Sequence, residues 1–255
     1  MIIDSHCHLY DTKLDEIRPE ILQNLLTTPQ IAICNGDNIS TSRQRITLAE
    51  QNKNIFATVG VHPHEAITFD SNTIAELTKL SKNPRVVAIG EIGLDYYYNL
   101  SPKEEQIEVL KQQIILASKL SMPCVFHVRE ATEDFLKIIK ELSKNYKISG
   151  YIHSFSGSLE TAKIYLNYGF YIGINGIITF KNANKMLDIV KSLPLDRILI
   201  ETDSPYLTPV PYRGTPNKPE YVKLIAQKIA ELKEIDINEV IKITTQNAKR
   251  FFKID

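Results

Sequence analysis

The chain has little cysteine, no excess of either charge and no long apolar run. Its three cysteines, Cys7, Cys34 and Cys124, are odd in number and widely spaced, which is typical of reduced thiols rather than of a disulfide framework. Lys plus Arg equals Asp plus Glu at 30 each, so no overall field attracts a polyanion, and any contact with nucleic acid must come from a local patch. No segment reaches the roughly 18 uninterrupted apolar residues of a membrane span. We therefore expect a cytoplasmic protein with no membrane contact and no obligate protein partner.

Short apolar segments rich in β-branched residues alternate with longer amphipathic segments along the whole chain. This alternation is typical of a parallel sheet with crossover helices. The predicted strands are "MIIDSH", "QIAICNG", "IFATVGVH", "VVAIGE", "MPCVFH", "ISGYIHS", "FYIGIN" and "ILIETD". Because one βα unit takes about 30 residues, eight units fit the chain and predict an α/β fold, a (β/α)8 TIM barrel. A doubly wound open sheet is the main competitor.

The segments between the predicted strands indicate how many domains the chain forms. There is no Gly/Ser-rich or Pro-rich linker and no internal repeat, so we expect residues 1–255 to form a single barrel domain. Two consecutive helices are predicted at about residues 217–252, packing on the barrel through Phe251 and Phe252.

All six histidines lie at or just past the end of a predicted strand. They are His6, His8, His62, His64, His127 and His153, and the acids Glu91 and Asp203 lie at the same level. In a barrel, strand ends converge on the carboxyl-end mouth, where barrel enzymes carry out their chemistry. His6 and His8 share one face because side chains alternate along a strand, and Cys7 faces the core.

Each of these residues alone has an ordinary structural explanation. A single histidine at a strand end is more often a hydrogen-bonded rim residue than a ligand, and Asp203 before "SP" is also suited to capping a turn. Glu91 follows the buried-looking "VVAIG", however, and a buried carboxylate costs several kcal/mol unless it is paired or bound to a cation. Together these residues favour a divalent metal site of imidazole and carboxylate ligands, suited to zinc, manganese, cobalt or magnesium. They are numerous enough for two ions.

The same residues carry a resemblance to a known family. The segments "IIDSHCHL", "TVGVHPHE", "IGEIGLDYYY", "PCVFHVREATED", "IHSFSG", "LPLDRILIETDSP" and "PYRGTPNKPEYV" resemble, in order, the TatD family of metal-dependent deoxyribonucleases within the amidohydrolase superfamily. Tyr10 departs from the pattern, because the family usually has Asp after "HCHL". The resemblance implies that one metal is held by His6, His8, Glu91 and Asp203, and the second by Glu91, His127 and His153, with Glu91 bridging.

The positions and the chemistry of these side chains also predict roles in catalysis and substrate binding. Asp203 is expected to accept a proton from the attacking water, and Glu91 to serve both ions. Three residues are expected to contact the substrate phosphate: His62, Arg129 and Arg213. A salt bridge at a helix start remains open for Arg129, and an ordering role in its own loop remains open for Arg213. The roles of His64 and of residues Tyr96 to Tyr98 are left open.

The predicted function is hydrolysis of DNA phosphodiester bonds by two divalent ions, with 3′-to-5′ exonuclease activity on single strands as the resemblance implies. The first alternative is a two-metal hydrolase of amides, lactones or phosphotriesters, since the same superfamily site serves those substrates. The second is a nucleic-acid-binding scaffold in which the metal only stabilises the fold. A complete ligand set argues against the scaffold, because the loss of one ligand would cost a pure scaffold little.

Overall fold

The computed structural model describes all residues from Met1 to Asp255. Eight β-strands are present, and each overlaps a predicted one. They are β1 (Ile2–Cys7), β2 (Gln30–Cys34), β3 (Ile55–Val59), β4 (Val86–Asp95), β5 (Cys124–Arg129), β6 (Gly150–Ile152), β7 (Tyr171–Ile174) and β8 (Ile198–Ile200). The fourth strand continues to Asp95 and the fifth to Arg129, so Glu91 and His127 lie inside their strands and not at the predicted ends.

Nine α-helices follow or separate the strands. They are α1 (Arg18–Thr27), α2 (Ile39–Gln51), α3 (Thr73–Leu80), α4 (Lys103–Lys119), α5 (Thr132–Leu142), α6 (Leu159–Asn167), α7 (Asn184–Ser192), α8 (Val222–Lys233) and α9 (Ile237–Phe252). Short 3-10 turns cover Thr12–Leu14, Pro63–Thr68, Gly176–Thr179, Leu195–Arg197 and Pro219–Tyr221. None of the helices is long and apolar enough to cross a membrane.

The eight strands form one sheet in the order in which they occur along the chain. Neighbouring strands run parallel, as in the pairing of Ile3 with Ile31 and of Gly93 with His127. An open doubly wound sheet would reverse its strand order at a switch point, and no reversal is present. The predicted (β/α)8 fold is therefore confirmed. All ten residues of β4 are buried, as expected of a parallel strand covered on both faces.

The chain contacts divide into two compact units. The first comprises residues 1–34, 51–55 and 154–255. In this unit α9 packs on β1 and β8, and Asn247 donates hydrogen bonds to the carbonyl oxygens of Leu195 and Ile198 at 2.9 Å each. Phe251 and Phe252 are buried, as predicted for the C-terminal helices.

The second unit comprises residues 35–50 and 56–153. Its core includes the edge-to-face pair Phe126 and Phe135, whose ring centroids lie 5.0 Å apart. Polar side chains of α4 tie the ends of two strands. Gln113 bonds both main-chain groups of Val61, at 2.8 and 3.0 Å, and Gln106 Oε1 accepts from the Asp95 N–H at 2.8 Å. The single-domain prediction for residues 1–255 stays a prediction.

Candidate metal centre

Two groups of metal-ligating side chains each lie within a single unit. We call them the Asp203 group, which consists of His6, His8 and Asp203, and the Glu91 group, which consists of His62, Glu91 and His127. In each group the ligating atoms all lie within 4.8 Å of one another.

In the Asp203 group two imidazoles and one carboxylate converge. The Nε2 atoms of His6 and His8 lie 3.1 Å apart, which confirms that alternation along β1 directs both rings to one face. Asp203 Oδ1 lies 3.8 Å from His6 Nε2 and 3.5 Å from His8 Nε2. Cys7 points the other way, and its thiol donates to the Ile33 carbonyl at 3.3 Å. This donor set of two nitrogens and an oxygen fits a divalent ion such as zinc or manganese.

Main-chain hydrogen bonds hold the Asp203 group together. Asp203 N–H donates to the His6 carbonyl at 2.9 Å, and His8 N–H donates to the Ser204 carbonyl at 2.7 Å. Asp203 itself has a φ of 57°, in the left-handed region that costs a residue with a side chain about 1 kcal/mol or more. The carboxylate is therefore directed at the two rings by backbone geometry.

Asp4 supports this arrangement from inside β1, and the sequence analysis did not single it out. Its Oδ1 accepts from Thr202 N–H at 2.8 Å and its Oδ2 from the Thr202 hydroxyl at 2.6 Å. Burial raises the pKa of Asp4 to about 8, although the bonds from Thr202 oppose the shift. Asp4 thus connects β1 to the segment that carries Asp203. The available signal was an acid inside an otherwise apolar strand.

In the Glu91 group several ring nitrogens face one buried carboxylate oxygen. Glu91 Oε1 lies 3.0 Å from His127 Nδ1, 3.5 Å from His62 Nε2 and 3.7 Å from His153 Nε2. Glu91 is only 2% exposed, so its charge needs compensation from these neighbours or from a cation. The structure thus brings the predicted residues Glu91, His127 and His153 together within one unit.

The position of His127 depends on a close approach of β4 to β5. A Cβ built on Gly93 would lie 1.8 Å from the His127 carbonyl oxygen. Only glycine at position 93 permits this approach. His127 Nε2 then bonds Asp95 Oδ2 at 2.9 Å while its Nδ1 faces Glu91. Burial lowers the pKa of His127, but the bonds to Asp95 and Glu91 outweigh burial and raise the pKa to about 9.

Asp95 is the second important residue that the sequence analysis missed. Its Oδ2 also lies 2.9 Å from His64 Nε2, and its Oδ1 accepts from the N–H groups of Tyr97 and Tyr98 at 3.0 and 2.9 Å. Burial opposes ionisation, but these bonds hold the pKa of Asp95 well below its ordinary value. A carboxylate that orients a ligating histidine is a usual support of metal sites. No spacing in the sequence pairs Asp95 with His127.

His62 lies beside Glu91, but its hydrogen bonding favours an Nε2–H that donates a hydrogen bond over an Nε2 that ligates a metal ion. Its Nδ1 accepts from the His64 N–H at 3.1 Å, so in the neutral ring the proton is on Nε2. Burial is the main cause that lowers the pKa of His62, which keeps the ring neutral near pH 7. An N–H at Nε2 suits a phosphate oxygen better than a metal ion. The predicted phosphate contact agrees with this tautomer and stays a prediction.

The two arginines predicted to contact phosphate have different surroundings. The guanidinium of Arg129 lies over the rings of Tyr97 and Tyr98, 4.1 and 4.7 Å from their centroids. Arg213 donates to the Thr208 carbonyl at 3.1 Å and lies 3.9 Å over the ring of Phe180, contacts that order its own loop. Both phosphate assignments stay predictions.

One further acid, Glu201, lies two residues before Asp203 in the chain. Glu201 is buried and its Oε1 accepts from Ser154 N–H at 2.6 Å and from Asn175 Nδ2 at 3.5 Å. It thereby holds the segment that follows His153. Like Asp4 and Asp95, it is recognised only from its partners.

Comparison with known proteins agrees with this chemistry. The family model described as TatD related DNase matches residues 3–253. The chain belongs to the TatD family. It is 41% identical to the "Uncharacterized metal-dependent hydrolase YabD" of Bacillus subtilis over 263 residues, covering 100% of both chains. It is 37% identical to the "3'-5' ssDNA/RNA exonuclease TatD" of Erwinia amylovora over 223 residues, covering 85% of this chain and 86% of that one.

Solved structures of TatD proteins have the same fold. The TatD homologue YJJV from Escherichia coli superposes with a TM-score of 0.91 at 27% identity, covering 100% of this chain and 98% of that chain. This TatD-family protein is therefore a (β/α)8 metal-dependent hydrolase, an enzyme that acts on ester bonds.

Proposed function

We propose that this TatD-family hydrolase cleaves phosphodiester bonds of DNA and removes nucleotides from single strands in the 3′-to-5′ direction. The observation that carries the proposal is the convergence of imidazole nitrogens on carboxylate oxygens in both ligand groups. The relative from Erwinia amylovora, named a 3'-5' ssDNA/RNA exonuclease, supports the choice of nucleic acid and of polarity. Its name also makes single-stranded RNA a second candidate substrate.

The proposal includes two divalent ions. The Asp203 group would hold one of them, and Glu91, His127 and His153 would hold the other; the bridging role of Glu91 stays a prediction. When bound, such ions lower the pKa of a water molecule and neutralise charge on the phosphate oxygens. The donor set of nitrogen and oxygen without thiolate fits zinc, manganese, magnesium or cobalt.

The protein's own residues would position the substrate and move the proton. Asp203, held by its main-chain bond to His6, would accept a proton from the attacking water. The Nε2–H of His62 would donate to a phosphate oxygen. The guanidinium of Arg129 would add a forked pair of donors, which a lysine does not reproduce. Arg213 would contribute a further N–H donor from its loop.

One assay separates this proposal from its alternatives. Purified protein is stripped with a chelator, refilled with one divalent ion at a time, and incubated with single-stranded DNA labelled at either end. We expect metal-dependent shortening from the 3′ end. RNA of the same sequence, an amide and lactone panel, and a phosphotriester are tested in parallel.

Three results would contradict all or part of the proposal. Hydrolysis confined to the amides, lactones or phosphotriester would assign the protein to the first alternative. Nucleic-acid binding without cleavage under any ion would assign it to the scaffold class. Internal cleavage of DNA would retain the nuclease but reject the exonuclease.

A further inference from the structure

The run of three tyrosines after β4 divides into one anchored and two exposed side chains. The hydroxyl of Tyr96 donates to Asp134 at 3.0 Å, and Lys103 lies 4.3 Å over its ring. The rings of Tyr97 and Tyr98 are instead 54% and 53% exposed. Two adjacent large aromatic rings, each about half exposed, form an apolar surface that is available for contact with a ligand.

Arg129 completes a cluster with these two rings, which we call the tyrosine–arginine cluster: Tyr97, Tyr98 and Arg129. The two rings meet edge to face with centroids 4.9 Å apart, and the guanidinium of Arg129 lies over both of them. No carboxylate forms an ion pair with Arg129, so its N–H donors are open to a ligand. The cation–π contacts fix the guanidinium while leaving its hydrogen-bonding capacity unused.

The cluster is directly connected to the Glu91 group. Asp95 accepts from the N–H groups of Tyr97 and Tyr98 through one oxygen and contacts His127 through the other. The ring of Tyr98 lies 5.5 Å from the ring of His64. Arg129 follows His127 by two residues in β5, so both side chains leave the same face of the strand.

We propose that the tyrosine–arginine cluster binds one nucleotide of a single-stranded nucleic acid, with Arg129 on a phosphate and the exposed tyrosine rings stacking on the base. This inference rests on the proposed function and adds a base-binding site to it. A phosphate alone would need only the guanidinium, whereas the exposed rings also offer flat surfaces on which a base can stack. Stacking accepts every base, because every base has a π-face, so the site favours nucleic acid without favouring a sequence.

The test compares oligothymidylate with the same backbone carrying abasic sugars throughout. In the wild type we expect the base-bearing strand to have the lower KM and the tighter binding. Tyr97→Leu removes the ring but keeps an apolar side chain, and it should raise the KM for oligothymidylate by roughly fivefold or more. The KM for the abasic strand should rise by a smaller factor, because that strand loses only the support that the Tyr97 ring gives to the guanidinium of Arg129. Tyr97→Phe keeps the ring and should retain wild-type KM.

Arg129→Ala should act differently, since a phosphate is present in both strands. It should raise the KM for both by a similar factor, and Arg129→Lys should recover only part of the loss. Fluorescence anisotropy with labelled strands in the presence of a chelator measures the same differences without turnover. Tyr146→Leu, which makes the same substitution at a half-buried tyrosine before the start of β6, serves as the matched control.

Three outcomes would overturn the inference: equal KM values for the two strands in the wild type, an unchanged KM for oligothymidylate in Tyr97→Leu, or the same loss in Tyr146→Leu. A wild type that cleaves DNA but shows one of these outcomes refutes the base-binding site alone. A wild type that neither binds nor cleaves any nucleic acid refutes the proposed function and the inference with it.

Discussion

The Asp203 group and the Glu91 group contain the same kinds of side chain but are held in place by different means. In the Asp203 group, main-chain hydrogen bonds between β1 and the segment after β8 set the positions of His6, His8 and Asp203. In the Glu91 group, main-chain bonds from Glu91 and His62 are joined by side chains that hold one another, with His127 placed between Glu91 and Asp95. A site positioned by backbone should tolerate the loss of a supporting side chain better than a site built as a buried polar network.

The largest expected effect comes from Glu91→Gln, which removes the charge at the centre of the side-chain network. Glutamine keeps the size and one oxygen but loses the negative charge, which three ring nitrogens face and which a bound cation would need. We expect turnover to fall by more than about 10⁴, beyond the range for loss of a general base, and further than in His127→Ala. Turnover and metal content are measured together.

The same variant tests whether Glu91 bridges the two ions. If Glu91→Gln binds two ions and turns over at a near-normal rate, Glu91 does not bridge. The variant His127→Ala is the control, since it removes one neutral ligand and leaves the carboxylate in place.

The second-largest effect is expected from a substitution in the Asp203 group. Asp203→Asn keeps the shape and one oxygen but removes the charge, so the attacking water loses its proton acceptor. Turnover should fall by roughly 10² to 10⁴. The rate is measured at rising metal concentration until it stops changing, because weaker metal binding alone would also slow the enzyme. A loss that disappears at saturating metal would make Asp203 a ligand only, and His62 would then be the first candidate for the base.

A matched pair of substitutions compares the two kinds of support directly. Asp95→Asn removes the charged acceptor that both His64 and His127 contact, and we expect metal affinity to fall by about 10-fold to 100-fold, the usual cost of losing such a support. Asp4→Asn still accepts from Thr202 N–H, and the main-chain bonds remain, so its affinity should change less. Competition with a metal chelator measures both. Equal losses in the two variants would refute the difference between the groups.

The smallest effect is expected at the hydrogen bond between Tyr96 and Asp134. The hydroxyl of Tyr96 is the first cause that lowers the pKa of Asp134 below its ordinary value. A carboxyl with a lowered folded pKa contributes stability above its unfolded pKa and loses it as pH falls. Tyr96→Phe should therefore raise the pKa of Asp134 and reduce the loss of unfolding free energy on acidification. Carbon-detected NMR titration of Asp134 measures the shift, and an unchanged pKa would contradict the assignment.

Much of the fold was predictable because its signals are local. Apolar β-branched segments alternating with amphipathic segments identified all eight strands, and the 3.6-residue spacing identified the terminal helices that became α8 and α9. The side-chain period of a strand placed His6 and His8 on one face and Cys7 on the other, as the contacts of all three residues confirm. These features depend on neighbours along the chain, so periodicity is enough to find them.

The supporting acids were not predictable, because their partners are distant in the chain. Asp4 pairs with Thr202, 198 residues away, and Asp95 pairs with His127, 32 residues away. A buried carboxylate destabilises the fold or stabilises it according to the hydrogen-bond donors that contact it. These donors come into contact only when the strands pair in register. The sequence likewise does not show that Tyr97 and Tyr98 are exposed while Tyr96 is anchored, because the anchor, Asp134, is distant in the chain.

Residue order alone therefore establishes the strand and helix pattern, the eight-unit architecture and the set of polar residues at strand ends, since each follows from local periodicity. The folded chain decides which nitrogen of each histidine faces which oxygen, which carboxylates orient the ligating rings, and which tyrosines face solvent. The reason is that hydrogen bonding and burial are properties of groups brought together in space. In the Glu91 group, contacts of 3.0 and 2.9 Å on opposite sides of one ring give His127 its orientation.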